Sequence, residues 1–378
     1  MSRLSSPEIR PGLFIISISL LALLLCNIGY ASHYFYLLGQ MIEVKIGGFV
    51  FQKQLQALIN EGLMAVFFLL ITIEIRYECL YGFLNNPKYL MLPLMGALGG
   101  VLAPASIYLL FNYNTANAVG WAIPVATDIA FSLACLMLLG KAFSPRLRIF
   151  LLSLAIFDDL AAILIVAVYY TKNLSLWMLV LALGITLFMF VLREMGCRRH
   201  SVYFVTGAIL WISLLKSGVH ATLTGSVVAL MLPMKNDQGH QAKRLYENLL
   251  PWVQYLILPL FTFANSGVVL SQSGSSSLFL GIVLGLIVGK PLGIISFSYL
   301  SNYLKLSSMP KGMNYLHIVG ISLLCGIGFT VSLFIGSLAF EHQTNLLNTM
   351  KVSVLLASLL SSFLGLTFLY VYCEKENE

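Results

Sequence analysis

Of the four aspartates in this 378-residue chain, Asp128, Asp158 and Asp159 stand in stretches that are otherwise almost wholly apolar, and only Asp237 falls in a polar loop. Lys290, in Val288-Gly289-Lys290-Pro291-Leu292, is placed the same way. Charged groups in such surroundings can exchange protons, hold a small cation, or neutralise one another. On insertion scales each costs about 2.5–3.5 kcal/mol at the centre of a membrane helix, so four amount to a penalty on the order of 10 kcal/mol before pairing. An ion pair that only joins helices would use one aspartate with Lys290 and leave two over. That excess argues for function. Neighbours on an α-helix project about 100° apart, so Asp158 and Asp159 cannot both face one partner squarely. One consistent arrangement pairs Asp158 with Lys290. It turns Asp159 to a water-filled funnel, where its carboxylate and oxygens such as Thr127 take a small hard cation.

The elements that must position these groups follow from composition. The chain is 59% apolar and 10% charged, with a mean hydropathy of +0.89. No soluble fold could cover so much apolar surface with so few charges. A spanning helix needs about 20 mainly apolar residues. Such runs lie near 12–31, 57–80, 89–111, 119–140, 147–170, 175–192, 202–216, 218–233, 250–270, 278–300, 315–339 and 352–373. The expectation is an all-α polytopic membrane protein with twelve transmembrane helices, residues 1–378 forming one membrane domain. The first run follows Arg3 and Arg10 as a secretion signal would, but its length reads as a retained helix.

The net charge of +7 is a matter of topology and does not imply nucleic acid. With both termini inside, the outer segments hold only Lys45, Lys53, Lys172, Lys216 and Lys351, Lys290 lies within a span, and the other basic residues fall inside, as the positive-inside rule requires. Joining 202–233 into one span would weaken that bias, so the split at Lys216-Ser217-Gly218 is preferred. The six cysteines show no paired spacing and imply neither disulfide nor metal. In the 32–56 loop, alternating residues flank Gly47-Gly48, the pattern of a two-residue β-hairpin, with a plain surface loop as the alternative. An exposed hairpin edge can pair with its own copy, so a homodimer through 41–53 is expected. Ser271 to Ser277 reads as a flexible connector.

Two runs carry helix breakers in their middles: Gly120-Trp121-Ala122-Ile123-Pro124-Val125-Ala126-Thr127-Asp128, and Gly320 to Thr330 with Gly326 and Gly328. Non-helical backbone at membrane depth is tolerated only where protein or a cavity covers it. The two are spans 4 and 11, each the middle of a three-span group, the pattern of two inverted-topology repeats with discontinuous helices. Tight glycine packing is the plainer alternative. Half-helix ends at mid-membrane carry partial charges, which Asp128 would balance. Burial and pairing shift titrations in opposite senses, so protons and sodium can compete for the same carboxylates. If the site opens to one side at a time, that competition is antiport. Because the acids and Lys290 together carry more than one proton, the exchange would also respond to voltage. An intramembrane aspartyl protease would need its acids on facing helices in Gly-x-Gly-Asp and Tyr-Asp contexts, which are absent here. A sodium/solute symporter of similar fold would not obviously need Lys290.

The chain resembles, over nearly its whole length, the NhaA family of bacterial Na⁺/H⁺ antiporters. The motifs are Ala126-Thr127-Asp128-Ile129-Ala130-Phe131, Leu154-Ala155-Ile156-Phe157-Asp158-Asp159-Leu160, Lys216 to Leu223, Phe263 to Val268, Gly289 to Ile294 and Gly326 to Leu333. The resemblance implies spans 4 and 11 crossing at their breaks, an ion site at Asp158 and Asp159 supported by Asp128 and Lys290, and dimers through the first-loop hairpin. It implies export of Na⁺ or Li⁺ for protons across the bacterial inner membrane, with no cofactor. It also implies a pH response through a cytoplasmic funnel, here Glu74, Glu78 and Glu247, and through His220, for which an interhelical hydrogen bond is the equal alternative. Departures are Tyr77 for a basic residue, Thr72 and Ala161 for glycines, Glu61 for an aspartate, and an unfixed register around Glu247. They bear on the pH set-point and leave the ion site intact.

Overall fold

The computed structural model describes residues 9–46, 49–81, 87–139, 145–171, 175–233, 240–270, 275–307, 309, 313–341 and 343–376. Among these residues the regular structure is helical apart from one two-stranded hairpin. Among the described residues seven helices are long and apolar enough to cross a membrane, and two further helix pairs do so as bent spans. Their outer faces are apolar, with Leu110 and Val168 each 82% exposed, a surface suited to a lipid solvent rather than water. Three of the twelve runs give helices that fall short of this by length or composition. Leu223–Met231, nine residues long, spans about 14 Å of a hydrocarbon layer about 30 Å thick. The others are His200–Ser217 and 240–266. The helix Ala31–Gly39, in the segment read as a loop, was not expected.

The chain forms two compact units. The first comprises Met1–Ala31, Phe83–Ala162 and Asn265–Glu378. Its long helices are Arg10–Asn27, Pro87–Asn112, Ser276–Tyr303 and Thr344–Glu376, with the first part of Pro145–Tyr169. Between them lie the two bent spans, Ala116–Val125 with Ile129–Leu138, bent by 43°, and Tyr315–Cys325 with Phe329–Ala339, bent by 47°. The first breaks because Pro124 lacks an N–H and Ala126 and Asp128 take extended backbone. The second breaks at Gly326-Ile327-Gly328. The helices 87–112 and 276–303 cross so closely that a Cβ on Gly99 or Gly293 would collide with the other's carbonyl, so only glycine fits this crossing. Buried amides brace one end of this pair: Asn112 donates to Ser277 O at 3.0 Å, and Asn117 to Ser275 Oγ at 3.1 Å.

The second unit comprises Ser32–Gly82 and Ile163–Ala264. Strands Met41–Ile46 and Phe49–Gln54 pair antiparallel with Met41 opposite Gln54 and Ile46 opposite Phe49. This is the hairpin the alternation predicts, although Gly47 and Gly48 themselves lie outside the described residues. The helices Leu55–Tyr81, Leu176–Glu194, His200–Ser217 and Leu223–Met231 close on a core that includes Leu69, Ile73, Met189, Tyr203 and Val228. The 202–233 run does divide where expected: Gly218 has φ of +85°, a left-handed turn that only glycine adopts at no cost.

Candidate functional site

All four ionisable groups singled out in the sequence belong to the first unit, and all four are buried. The two bent spans meet break to break, where the Asp128 N–H donates to the Ile327 carbonyl at 2.7 Å. Asp128 caps both downstream half-helices. Its Oδ1 accepts from the Phe131 N–H at 3.0 Å, and its Oδ2 accepts from the Thr330 N–H at 3.1 Å and the Thr330 hydroxyl at 2.6 Å. A carboxylate is therefore set against two helix N-termini, the positive ends of their dipoles. Lys290 takes the opposite post. Its ammonium donates to the Val125 carbonyl, at the end of the upstream half of the first bent span. The same ammonium lies 2.6 Å from Asp158 Oδ2. What brings it there is a π-helical turn, Gly285–Gly289, immediately before Lys290. Such turns are frequent at functional sites, and here the glycines allow the helix to lie close against Pro124 and Pro104.

Thr127 differs from its expected place. The sequence reading set it beside Asp159, whereas its hydroxyl lies 2.8 Å from Asp158 Oδ2 and 2.8 Å from the Cys325 carbonyl. The extended backbone of residues 126–128 aims it across the break. A threonine hydroxyl has one proton to donate, so it serves only one of these two acceptors at a time. One more proton, or a cation, would complete the set. Asp158 Oδ1 accepts no hydrogen bond from the described residues. Asp159 also departs from expectation. It was set toward a water-filled funnel, yet it has no accessible surface, because the Pro145–Tyr169 helix is covered on both aspartates' faces in this conformation.

Sequence reasoning passed over the oxygens that complete the cluster. Ser132 donates to the Leu324 carbonyl at 3.0 Å, and Ser332 to the Ile123 carbonyl at 2.7 Å, so each bent span carries a hydroxyl that reaches a carbonyl beside the other's break. The only legible signal was a hydroxyl residue four positions after each break. Lys351, placed outside by the charge count, lies within the Thr344–Tyr372 span. It is buried, with its ammonium 3.3 Å from the Gly267 carbonyl.

The residues expected to govern pH response belong to the second unit. Glu74 accepts from the Tyr246 hydroxyl at 3.2 Å, and Glu78 lies one turn along the same helix. Glu247, the neighbour of Tyr246, faces Lys243 at 3.8 Å, with both side chains more than half exposed. His220 Nε2 is 2.9 Å from the Tyr170 carbonyl, a contact between residues that lie just beyond the helices ending at Tyr169 and Ser217.

Apolar spanning helices, two of them bent at facing breaks around buried acids and a lysine, define a membrane ion transporter. The chain belongs to the Na⁺/H⁺ antiporter 1 family, whose profile matches residues 2–369. Among its relatives, the Na(+)/H(+) antiporter NhaA of Salmonella arizonae is 45% identical over 98% of this chain and 97% of its own length. That of Citrobacter koseri is 44% identical over 98% and 97%, and that of Aeromonas hydrophila 44% identical over 95% and 92%.

Proposed function

We propose that this protein exports sodium in exchange for protons, with the two ions taking turns on the carboxylates of Asp158 and Asp159. The observation that carries the reading is the oxygen cluster of Asp158, Thr127 and Cys325 beside Lys290, short of one proton or cation. Proton loss leaves carboxylate and hydroxyl oxygens suited to a small hard cation, and reprotonation expels it. Alternating exposure of the cluster then makes each ion's passage conditional on the other's return. With two acids and Lys290 in play, more protons than sodium ions cross, and the exchange is electrogenic. The role is sodium and pH homeostasis, with Li⁺ as a second cargo and no cofactor. The relatives are antiporters by name, so the symporter alternative is left without support.

The architecture proposed with it has twelve spans in two inverted repeats, multi-pass in a bacterial inner membrane with both termini cytoplasmic. The two bent spans and the distribution of Lys and Arg support it. Glu74, Glu78, Glu247 and His220 are proposed to tune the response to pH.

In everted vesicles acidified inside, added Na⁺ should draw protons out and dequench a pH dye. No dequenching at any pH between about 6.5 and 9, which spans histidine to weakly shifted lysine titration, would count decisively against the reading. The paired strands 41–46 and 49–54 have edges free to join a second copy, which supports a homodimer through 41–53. Deleting that segment should halve the mass measured by light scattering in detergent, and an unchanged mass would remove the hairpin from the interface.

A further inference from the structure

We propose that His317 is a proton-responsive positioning residue: neutral, it completes the cap on the half-helix that presents the Cys325 carbonyl to Thr127, and protonation releases that cap. The inference rests on the antiporter reading only for its transport readout.

The half-helix Tyr315–Cys325 starts at Asn314, whose backbone is extended. Asn314 Oδ1 accepts from the His317 N–H at 3.0 Å, and His317 Nδ1 accepts from the Asn314 N–H at 3.2 Å. This is a capping box, in which the third position is usually Glu or Gln. An imidazole nitrogen accepts only when it carries no proton, so this contact is made by the tautomer whose hydrogen is on Nε2. Once protonated, both nitrogens donate, and Nδ1–H would confront the Asn314 N–H. The added charge would also sit at the positive end of the half-helix. Both effects oppose the cap, and histidine is the side-chain type whose charge ordinarily changes between about pH 5 and 8.

Of titratable and charged residues, the packed 344–376 helix carries Lys351, Tyr370, Tyr372, Cys373, Glu374, Lys375 and Glu376, and the packed 276–303 helix carries Lys290, Tyr299 and Tyr303. The ring is 5% exposed. From the 344–376 helix it meets Tyr372 edge-on, at 5.1 Å and 87°, and the Tyr372 hydroxyl also accepts from Asn314 Nδ2. From the 276–303 helix, Tyr299 packs on Tyr315, and Asn302 donates to the Tyr315 hydroxyl at 2.7 Å. The 129–138 helix, also packed against this element, carries Cys135 as its one titratable residue. Tyrosines and thiols keep their protons below about pH 8. At the other end of this rod of about 16 Å, the Leu324 and Cys325 carbonyls receive Ser132 and Thr127. A frayed first turn therefore loosens the register of a carbonyl in the ion cluster, and acidification weakens sodium binding.

His317→Gln keeps an acceptor that does not titrate, and His317→Ala removes it. In the vesicle assay the Gln variant should match the parent at alkaline pH. Its acid limb should move to lower pH by about 0.7 unit, about five-fold in equilibrium, the usual size of a cap. The Ala variant should lose sodium affinity about five-fold even at alkaline pH. Thermal unfolding of purified protein without sodium gives a readout independent of transport: from about pH 8 to 5.5 the parent should lose stability relative to the Gln variant. Superimposable pH profiles, or superimposable unfolding curves for parent and Gln variant, overturn the proposal. Parent vesicles that exchange nothing overturn the antiporter reading instead, and the unfolding comparison then decides the cap.

Discussion

Replacing Asp158 and Asp159 together by asparagine abolishes sodium-induced dequenching in everted vesicles. Asparagine keeps the size of each side chain but can neither hold an exchangeable proton nor bring charge to a cation. At an effective dielectric near 20, a unit charge about 4 Å away is worth about 4 kcal/mol, so even one lost carboxylate weakens sodium binding by about a thousand-fold. The single variants separate the two residues. Asp159→Asn leaves the Lys290–Asp158 pair, at 2.6 Å, in place, so the purified protein should melt close to the parent while exchange collapses. Asp158→Asn removes the counter-ion of a fully buried lysine and the acceptor beside Thr127, so stability and exchange should fall together. A double variant that exchanges ions at the parental rate would refute the carboxylate mechanism outright.

Much of the site could be read in the sequence because membrane burial makes charge conspicuous. Asp128, Asp158, Asp159 and Lys290 needed no structure to stand out, and the pairing of Asp158 with Lys290 was one arrangement consistent with helix geometry and the count of charges. Both breaks were marked by Pro124 and by Gly326 and Gly328, and the hairpin by an alternating pattern across a glycine pair. The missed partners are mostly backbone carbonyls, Val125, Ile327 and Cys325, and a carbonyl looks the same in every residue. Only the three-dimensional meeting of the breaks reveals which carbonyls lie beside it and which hydroxyl, Thr127, Ser132 or Ser332, reaches them. Thr127 was assigned to the wrong aspartate for the same reason, since its direction is set by the extended backbone at 126–128 and not by helical periodicity. The nine-residue helix 223–231 shows the limit of hydropathy: an apolar run gives composition, while Gly218 and the turn after it decide how much of the run is helix.

The second large effect concerns Lys290. Truncation to alanine strands the Asp158 carboxylate, fully buried with its strongest partner gone, and takes the donor away from the Val125 carbonyl at the first break. Breaking one side of a buried ion pair costs about 3–5 kcal/mol, which lowers the unfolding midpoint by about 5 °C in a chain of 378 residues. A stranded buried carboxylate sheds its charge by taking up a proton, and that proton would no longer be released for sodium, so proton coupling should fail in the vesicle assay. Stability and coupling need not return together. Adding Asp158→Asn to Lys290→Ala removes the uncompensated charge and should recover most of the lost melting temperature, because an ion pair replaced on both sides is far cheaper than one broken on one side. Exchange should stay absent, since the double variant has neither the acid nor the base. If Lys290→Ala melted with the parent, the pair at 2.6 Å would contribute nothing to the fold. If it also kept parental proton coupling, Lys290 would have no part in the cycle, and Asp159 with Thr127 would have to carry both ions without it.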